Sequence, residues 1–548
     1  MDTVKITFND NKVHEYPYGT LYYDISKDCD MENIVGFKIG NEVYSLDKKA
    51  IQDEKIEFIN ASDLIGNKIY KSGLKFIFEV ALEEVIPKFS IRYEHSVPRG
   101  MLGEVVGPQQ LTQDDISKIK GKMSEIISNN EEIVKYIISP KDAIKYYNGK
   151  GEFEKAENIQ NISDKVVTLY KLRNKFNYFY SQMPYTTGAI DKFELVYLGN
   201  NKIIFLFPSV GGNKVLEYVH YDNIINSFLE GKKWLNNLQM PYIADLNKTI
   251  GNGDIKSFIE SSELMFNLNI NHVVEDIISN HRDVKFILIA GPSSSGKTTT
   301  TKRMSSHFKA LGYHTVCISL DDYYIDRELC PKLENGKYDF ESLAALNVQR
   351  FNDDLKALLD GKEVTLPVFN FLTGKSEISK NSIKLQENSI LLIEGLHAIN
   401  DELTSSIESK YKYKVYLSPF IPLNVDKHNY ISTLDMRLLR RIVRDNRTRG
   451  YDVVTTIDNW QNVRDGEEKY IFPFIHQANT IINTALAYEV GVLKVYVEPL
   501  LLSVSVDSIY YEEARRLVDF LKQFFPIPGE YVSDDSILRE FIGGLKND

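Results

Sequence analysis

The stretch FILIAGPSSSGKTTT, residues 286–300, decides how this chain is read. Gly291, Gly296, Lys297 and Thr298 satisfy G-x-x-x-x-G-K-[ST] at every fixed position. The apolar run KFILIA before it predicts a buried strand, and TTTTKRMSSHFKAL after it predicts a helix. Glycines let the backbone wrap so that successive N–H groups point inward, and the helix N-terminus adds positive potential. Gly291, Ser293, Ser294, Ser295, Gly296, Lys297, Thr298 and Thr299 are therefore expected to cradle the phosphates of ATP. Lys297 would reach the β- and γ-phosphates, and the Thr298 hydroxyl would ligate Mg²⁺.

Working outward, apolar strands at 285–290, 314–320, 390–394 and 413–417 alternate with helical patterns. That alternation predicts an α/β domain with a parallel sheet flanked by helices. A GTPase would carry Asn-Lys-x-Asp, which is missing, and ILLIEGLH ends in Glu394-Gly395 rather than the Asp-Glu of a motor ATPase. A kinase acting on a small molecule is the expected class. HTVCISLDDYY (314–324) runs a strand into Asp321 and Asp322. Strands of an open parallel sheet present their carboxyl ends to the ligand crevice, so one of these carboxylates is expected to accept a hydroxyl proton. Glu394 closes another strand at the same edge and is a candidate Mg²⁺ ligand. MRLLRRIVRDNRTRG (436–450) holds six arginines, and Arg437, Arg440/Arg441 and Arg444 recur at helical spacing. They are expected to form one cationic face that closes over the phosphates.

The preceding 280 or so residues read differently. Short alternating strands up to residue 62 suggest a small β-rich module. A helical pattern over 72–86 is stopped by Pro87. Thr112 is placed to cap a helix whose stripe is Ile116, Ile119, Met123 and Ile126/Ile127. Strands return between 190 and 220, and 255–280 reads as a helical connector. Across all 548 residues, 43% hydrophobic and 26% charged content predicts globular domains rather than disorder. The net charge of −11 argues against a general nucleic-acid coat. Cys29, Cys317 and Cys330 lack metal-ligand spacing and fit a reducing compartment. No secretory signal or apolar run of ~20 residues is visible, so the expectation is a cytoplasmic protein that spans no membrane.

Residues 284–500 resemble the uridine kinase/phosphoribulokinase family. ISLDDYY is similar to that family's Gln-Asp-Ser-Phe/Tyr-Tyr block, which implies Asp321 as catalytic base and Tyr324 as a substrate contact. YDFESLAALN resembles the block that holds the ribose hydroxyls, here through Asp339. LPVFNF stands in the place of Pro-Val-Tyr-Asp-Phe, ILLIEGL matches the strand ending in the magnesium-associated Glu394, and RRIVRDNRTRGYD resembles the arginine lid. The lid resemblance implies that Arg441 faces the acceptor, while Arg444 and Arg449 face ATP. Three positions depart: Phe369 replaces the base-contacting tyrosine, Gly374 falls near the uracil-reading histidine, and Tyr451 replaces a lid arginine. The resemblance thus implies a nucleoside kinase acting on a 5′-type hydroxyl with altered base recognition.

Residues 1–63 resemble the TGS β-grasp module, and 64–240 resemble the α+β editing domain of threonyl-tRNA synthetases. The family's His/Cys ligands fall on Lys71, Lys75, Ser181 and Tyr185, so editing chemistry is not expected; ammonium groups can neither hold a metal nor activate water. The expected division is 1–63, 64–240, a helical connector 241–283, and the kinase domain 284–548. Expected partners are a nucleoside or similar small alcohol and a second copy of the chain. The alternatives are an RNA-associated regulator that contacts tRNA through the N-terminal half, or a phosphoribulokinase- or pantothenate-type kinase.

Overall fold

The computed structural model describes residues 3–544 apart from 163, 334, 335 and 337. The apolar strands read from the sequence pair as one parallel sheet. Its order is His314–Ser319, Ser389–Glu394, Phe286–Ala290, Lys412–Ser418, Thr480–Asn483. Phe286–Ala290, buried along its whole length, lies at the centre between Ser389–Glu394 and Lys412–Ser418. Being covered on both faces, such strands carry continuous apolar runs instead of alternation. The carboxyl ends of the central strands converge on one crevice, which is where Ala290, Ser319 and Glu394 bring the chain.

The helix Ile255–Asn280 lines this same core. Phe258, Phe266, Ile270, Val274 and Ile277 pack with Met304 and Phe308 of the helix Lys297–Ala310. An antiparallel hairpin, Val364–Asn370 with Lys375–Ile383, projects beside the crevice.

In front of the sheet stand two further units. Residues 3–60 form a five-stranded sheet with the short helix Tyr22–Ile25 packed on it. Next, a four-stranded antiparallel sheet (Ser90–Val97, Gly100–Val106, Glu194–Gly199, Lys202–Leu206) packs with the helices Leu64–Val85 and Gln113–Ser128. Thr112 caps the second helix through a capping box with Asp115, and Ile116, Ile119, Met123 and Ile126 are buried. The first helix begins at Leu64 rather than at 72. Gly66 and Asn67 weaken the local helical signal, yet glycine is required there: a Cβ at Gly66 would lie 1.9 Å from the Asn60 carbonyl oxygen.

The segment after Lys412–Ser418 locks the sheet to the middle unit. Asn424 Nδ2 donates to the Tyr93 carbonyl (2.8 Å), Asn158 Nδ2 to the Val425 carbonyl (2.7 Å), and Lys75 Nζ to the His428 carbonyl (3.1 Å). Asp426, with no solvent exposure, accepts from the backbone N–H of His428 and Asn429, from the Asn429 amide, and from the Tyr178 hydroxyl. Removing such an acceptor orphans several donors at once. Asp426→Ala is expected to cost about 3 kcal/mol, read as a lowered urea midpoint; a shift under 0.5 kcal/mol would mean that water replaces the carboxylate.

Among the described residues, no helix is long and apolar enough to cross a membrane.

Candidate active site

Phosphate cradle geometry follows directly from Gly291–Thr298. Ser294 (φ 60°) and Gly296 (φ 82°) take left-handed backbone, turning the chain sharply into the helix that starts at Lys297. A Cβ at Gly296 would meet Ile537 Cδ1 at 2.4 Å, so only glycine satisfies both the turn and the packing. Lys297 Nζ donates to the carbonyls of Gly291 (3.0 Å) and Pro292 (3.3 Å), folding back over the loop. The side chains of Ser294 and Ser295 are buried, so these residues offer only backbone N–H groups to a ligand. Thr299 Oγ1 is committed to Glu540 (2.6 Å). Thr298 is exposed to the crevice and donates to Glu394 Oε1 at 3.2 Å.

Asp321 lies in a 3-10 turn, Leu320–Tyr323, immediately after the edge strand. Its carboxylate opens to the crevice, yet the surrounding protein strips enough solvent from it to push its pKa up; Lys297 and Arg449 oppose that shift. Glu394 is also raised by burial, with Lys297 pulling it down and Asp321 pushing it up. Lys297, Asp321, Thr298 and Glu394 therefore share one electrostatic neighbourhood. Asp322 is turned toward the hairpin, where the Phe369 backbone N–H bonds it.

Beside the hairpin, the Tyr324 and Phe369 rings lie 5.5 Å apart between centroids with their planes tilted by 57°, and the Tyr324 hydroxyl donates to the Phe340 carbonyl (2.9 Å). Asp339 Oδ2 accepts from the Tyr470 hydroxyl (2.8 Å). Gly374 sits in the hairpin turn with φ 70°, and the Arg327 side chain covers the space a Cβ there would enter. The Arg327 guanidinium donates to the Phe371 carbonyl (2.7 Å).

The arginine helix, Thr433–Arg449, is the main correction. Arg437 and Arg440 do not form an open cationic face: both are buried. Arg437 is paired through both terminal nitrogens with Glu467, and its Nε donates to the Ser293 carbonyl (2.9 Å). Arg440 is bidentate with Glu489 (2.7–2.8 Å) and donates to the Ser294 carbonyl (3.3 Å). These two hold the cradle from behind. Arg441 reaches the cradle from the crevice side, donating to Ser293 Oγ (2.9 Å). Arg444 (2.8 Å) and Arg449 (3.5 Å) rest against Asp445, and Arg449 is half exposed. The helix thus divides into buried arginines that position the loop and outer ones near the crevice.

Two carboxylates enter the site beyond those read from the sequence. Glu467 accepts from the Ser293 backbone N–H (3.2 Å). Glu341, next to the Asp339 block, is pushed up to about 7 by burial and by Glu467, against the pull of Lys297 and Arg441. Crowded carboxylates with raised pKa values suit a site whose full cation complement arrives with its substrate. Among the described residues, no cluster of three or more side chains forms a metal cage. Mg²⁺ needs none, because it is held by one or two protein oxygens and completes its shell with substrate phosphates and water. Thr298 Oγ1 and Glu394 are hard oxygen donors of that kind at the mouth of the cradle.

Of the positions where the editing resemblance places ligands, Lys75 is buried against the His428 carbonyl and the Phe179 ring. Ser181 hydrogen-bonds to Ser72, and Tyr185 packs on Tyr23. The loop around His428 packs on Lys75 at one side of that centre, and the His428 imidazole is held well below its usual pKa by burial and the nearby lysines.

Residues 286–490 match the model of the Phosphoribulokinase / Uridine kinase family. A uridine kinase of Anoxybacillus flavithermus (strain DSM 21510 / WK1) is 26% identical over 197 residues, 35% of this chain and 83% of that protein. A uridine kinase of Schizosaccharomyces pombe (strain 972 / ATCC 24843) is 31% identical over 194 residues, 35% of this chain and 38% of that protein. A threonine–tRNA ligase of Wolbachia pipientis subsp. Culex pipiens (strain wPip) is 28% identical over 195 residues, covering 35% of this chain and 31% of the ligase. The chain therefore spans about a third of the ligase's length, and that likeness fits the units in front of the sheet.

Proposed function

We propose that this chain, whose residues 286–490 match the model of the Phosphoribulokinase / Uridine kinase family, transfers the γ-phosphoryl group of ATP to a primary hydroxyl of a nucleoside-like acceptor. The observation that carries the reading is the shared neighbourhood of Asp321, Lys297, Thr298 and Glu394 at the carboxyl edge of the parallel sheet. Asp321 takes the acceptor's hydroxyl proton as its oxygen bonds to the γ-phosphorus; the bond from that phosphorus to the β–γ bridging oxygen breaks, and ADP leaves. Lys297 and the backbone N–H groups of the cradle stabilise the charge that moves onto the phosphoryl oxygens. Thr298 and Glu394 would hold Mg²⁺, whose chemistry here would be charge neutralisation at the phosphates. Arg441 and Arg449 stand on the crevice side and would close over the phosphoryl group.

The aromatic pair Tyr324–Phe369 favours an acceptor with a flat base over a bare small alcohol, because a ring face is what such a wall binds best. Asp339 would hold neighbouring sugar hydroxyls, exchanging its bond from Tyr470. Arg327, filling the space beside Gly374, brings to the place where a base edge would be read the guanidinium N–H donors not given to the Phe371 carbonyl. A steady-state assay of the full chain against a panel of nucleosides should find turnover dependent on ATP and Mg²⁺. No turnover on any nucleoside, with ATP binding intact, would refute the nucleoside reading.

Glu341 gives this reading a pH signature. With its pKa at about 7, it is largely protonated below neutrality and becomes an anion above it, beside a cradle that must accept a polyanion. ATP would push its pKa higher still, so binding takes up a proton and affinity falls with rising pH, by up to tenfold per unit. ATP affinity should therefore drop between pH 7 and 8.5 in calorimetric titration, and Glu341→Gln should flatten that dependence. An unchanged slope in the variant would remove Glu341 from this role.

A further inference from the structure

A second cavity, of about 190 Å³, lies between the middle unit and the sheet domain. Four helices contribute to its walls: Leu64–Val85 through Lys68, Lys71 and Lys75, the arginine helix through Asp435, Val453–Tyr470 through Trp460 and Arg464, and Tyr511–Leu521 through Glu513 and Arg516. An adjoining crevice of about 160 Å³ shares Lys71 and Arg464 and extends over the Phe207, Phe420 and Leu434 side chains toward Pro292.

Most of the charge here is internally matched. Arg516 is bound by Asp435 (2.6 Å) and Glu513 (2.8 Å), and Lys68 by Glu513 (2.9 Å). Lys75 is spent on the His428 carbonyl. Two cations are left over. Lys71, among the described residues, makes no hydrogen bond or ion pair, and its ammonium lies 4.9 Å from the centre of the Phe207 ring. Arg464 has only Glu468, 4.0 Å away and half exposed on the same helix. Two neighbouring cations half-enclosed in protein, with only the long contact from Arg464 to a half-exposed Glu468 and the field of Asp435 to set against them, pay a desolvation cost that is little offset. Burial and Arg464 together push the Lys71 pKa down to about 7 against the pull of Asp435, so an anion bound beside it would restore the ammonium form. Asn67, Ser72, Ser96 and Ser432 add hydrogen-bonding groups to the walls, and Trp460 adds a flat apolar face.

We propose that the cavity between Lys71 and Arg464 is a binding site for a small phosphate monoester, separate from the cradle at Gly291–Thr298. The charge match selects the ligand class: two weakly compensated cations suit a dianion, and a guanidinium beside an ammonium suits a tetrahedral oxyanion that accepts from several directions. A monocarboxylate would leave one charge unmet. The monoester's organic body has room in the adjoining apolar crevice.

The test uses the full chain carrying Lys297→Met, so that the cradle does not compete for phosphate. Ribose 5-phosphate, inorganic phosphate and malonate are titrated by calorimetry into this protein, and into versions that also carry Lys71→Met or Arg464→Met. The expected result is saturable binding of ribose 5-phosphate, weakened at least tenfold by either added substitution. Thermal midpoints without ligand should stay within a few degrees across the series, since Arg464 holds only the long contact to a half-exposed Glu468 and Lys71 only the Phe207 ring. Because Trp234 and Trp460 are the chain's two tryptophans, Trp234→Phe leaves Trp460 as the sole indole, and its fluorescence should change on binding. The proposal is overturned if neither phosphate probe binds, if Lys71→Met and Arg464→Met bind as well as the parent, or if malonate binds as tightly as ribose 5-phosphate. Binding of inorganic phosphate without ribose 5-phosphate would likewise overturn the monoester.

Discussion

Asp321→Asn is expected to lower turnover by a factor of ~10² to 10⁴, the usual contribution of a positioned proton acceptor, while ATP affinity stays the same or tightens. The amide keeps the shape of the carboxylate but can no longer take the acceptor's proton. Asp321 raises the pKa of Glu394 in the same crevice, and its pKa is itself raised by desolvation. Removing its charge relieves repulsion that an incoming polyphosphate would otherwise meet. Turnover and ATP binding should therefore separate, which steady-state kinetics and calorimetry measure independently. If both are lost together, the aspartate is holding the 3-10 turn at Leu320–Tyr323 and the proposed chemistry needs another base.

Arg440→Met should cost about 3–5 kcal/mol of stability, the range for stranding one member of a buried ion pair. Neither Arg440 nor Glu489 has any exposed side-chain surface. The guanidinium also ties the Ser294 carbonyl (3.3 Å) to the Thr484 carbonyl (2.8 Å), joining the cradle to the turn after the last strand. Without it, Glu489 keeps one bond from the Leu486 N–H and is otherwise an unpaired carboxylate in the core. A domain stable by ~5–15 kcal/mol would lose a large share of that margin. The double variant Arg440→Met/Glu489→Met should recover much of the loss, since well-packed apolar side chains often replace a buried pair without penalty. Urea unfolding of the three proteins decides it, and a single-variant loss below 1 kcal/mol would show that Glu489 finds water or another donor.

These two residues also mark where sequence reading succeeds and where it stops. The place of Asp321 at the crevice was legible because a strand that runs into a carboxylate at the edge of a parallel sheet has only one crevice to face. Arg440 and Arg441 are adjacent and chemically identical in sequence, yet one is sealed against Glu489 and the other reaches Ser293 Oγ. About 100° of helix rotation separates them, and only the packing of Glu489 and Phe541 against the helix says which side is interior. The same limit hid Glu467: beside Glu468 it reads as a solvated face, but it is buried under Arg437 while Glu468 remains half exposed. Glu489 did leave a signal, a lone acid in the apolar run EVGVLKVYV. Glu341 left none, because an acid beside Asp339 looks like any surface residue.

By itself, the sequence determined the cradle, the parallel sheet and the polarity of its crevice. Each rests on local spacing: glycines that permit positive φ, apolar runs long enough for buried strands, and a helix start at Lys297. Only the tertiary structure decided that the loop Asn424–Tyr430 packs against Tyr93 and Lys75 of the middle unit and that Lys71 meets Arg464 across a cavity. Those contacts join residues hundreds of positions apart, where no periodicity reaches; they exist because separate units bury surface against one another, and the charges left over fall where that packing happens to close.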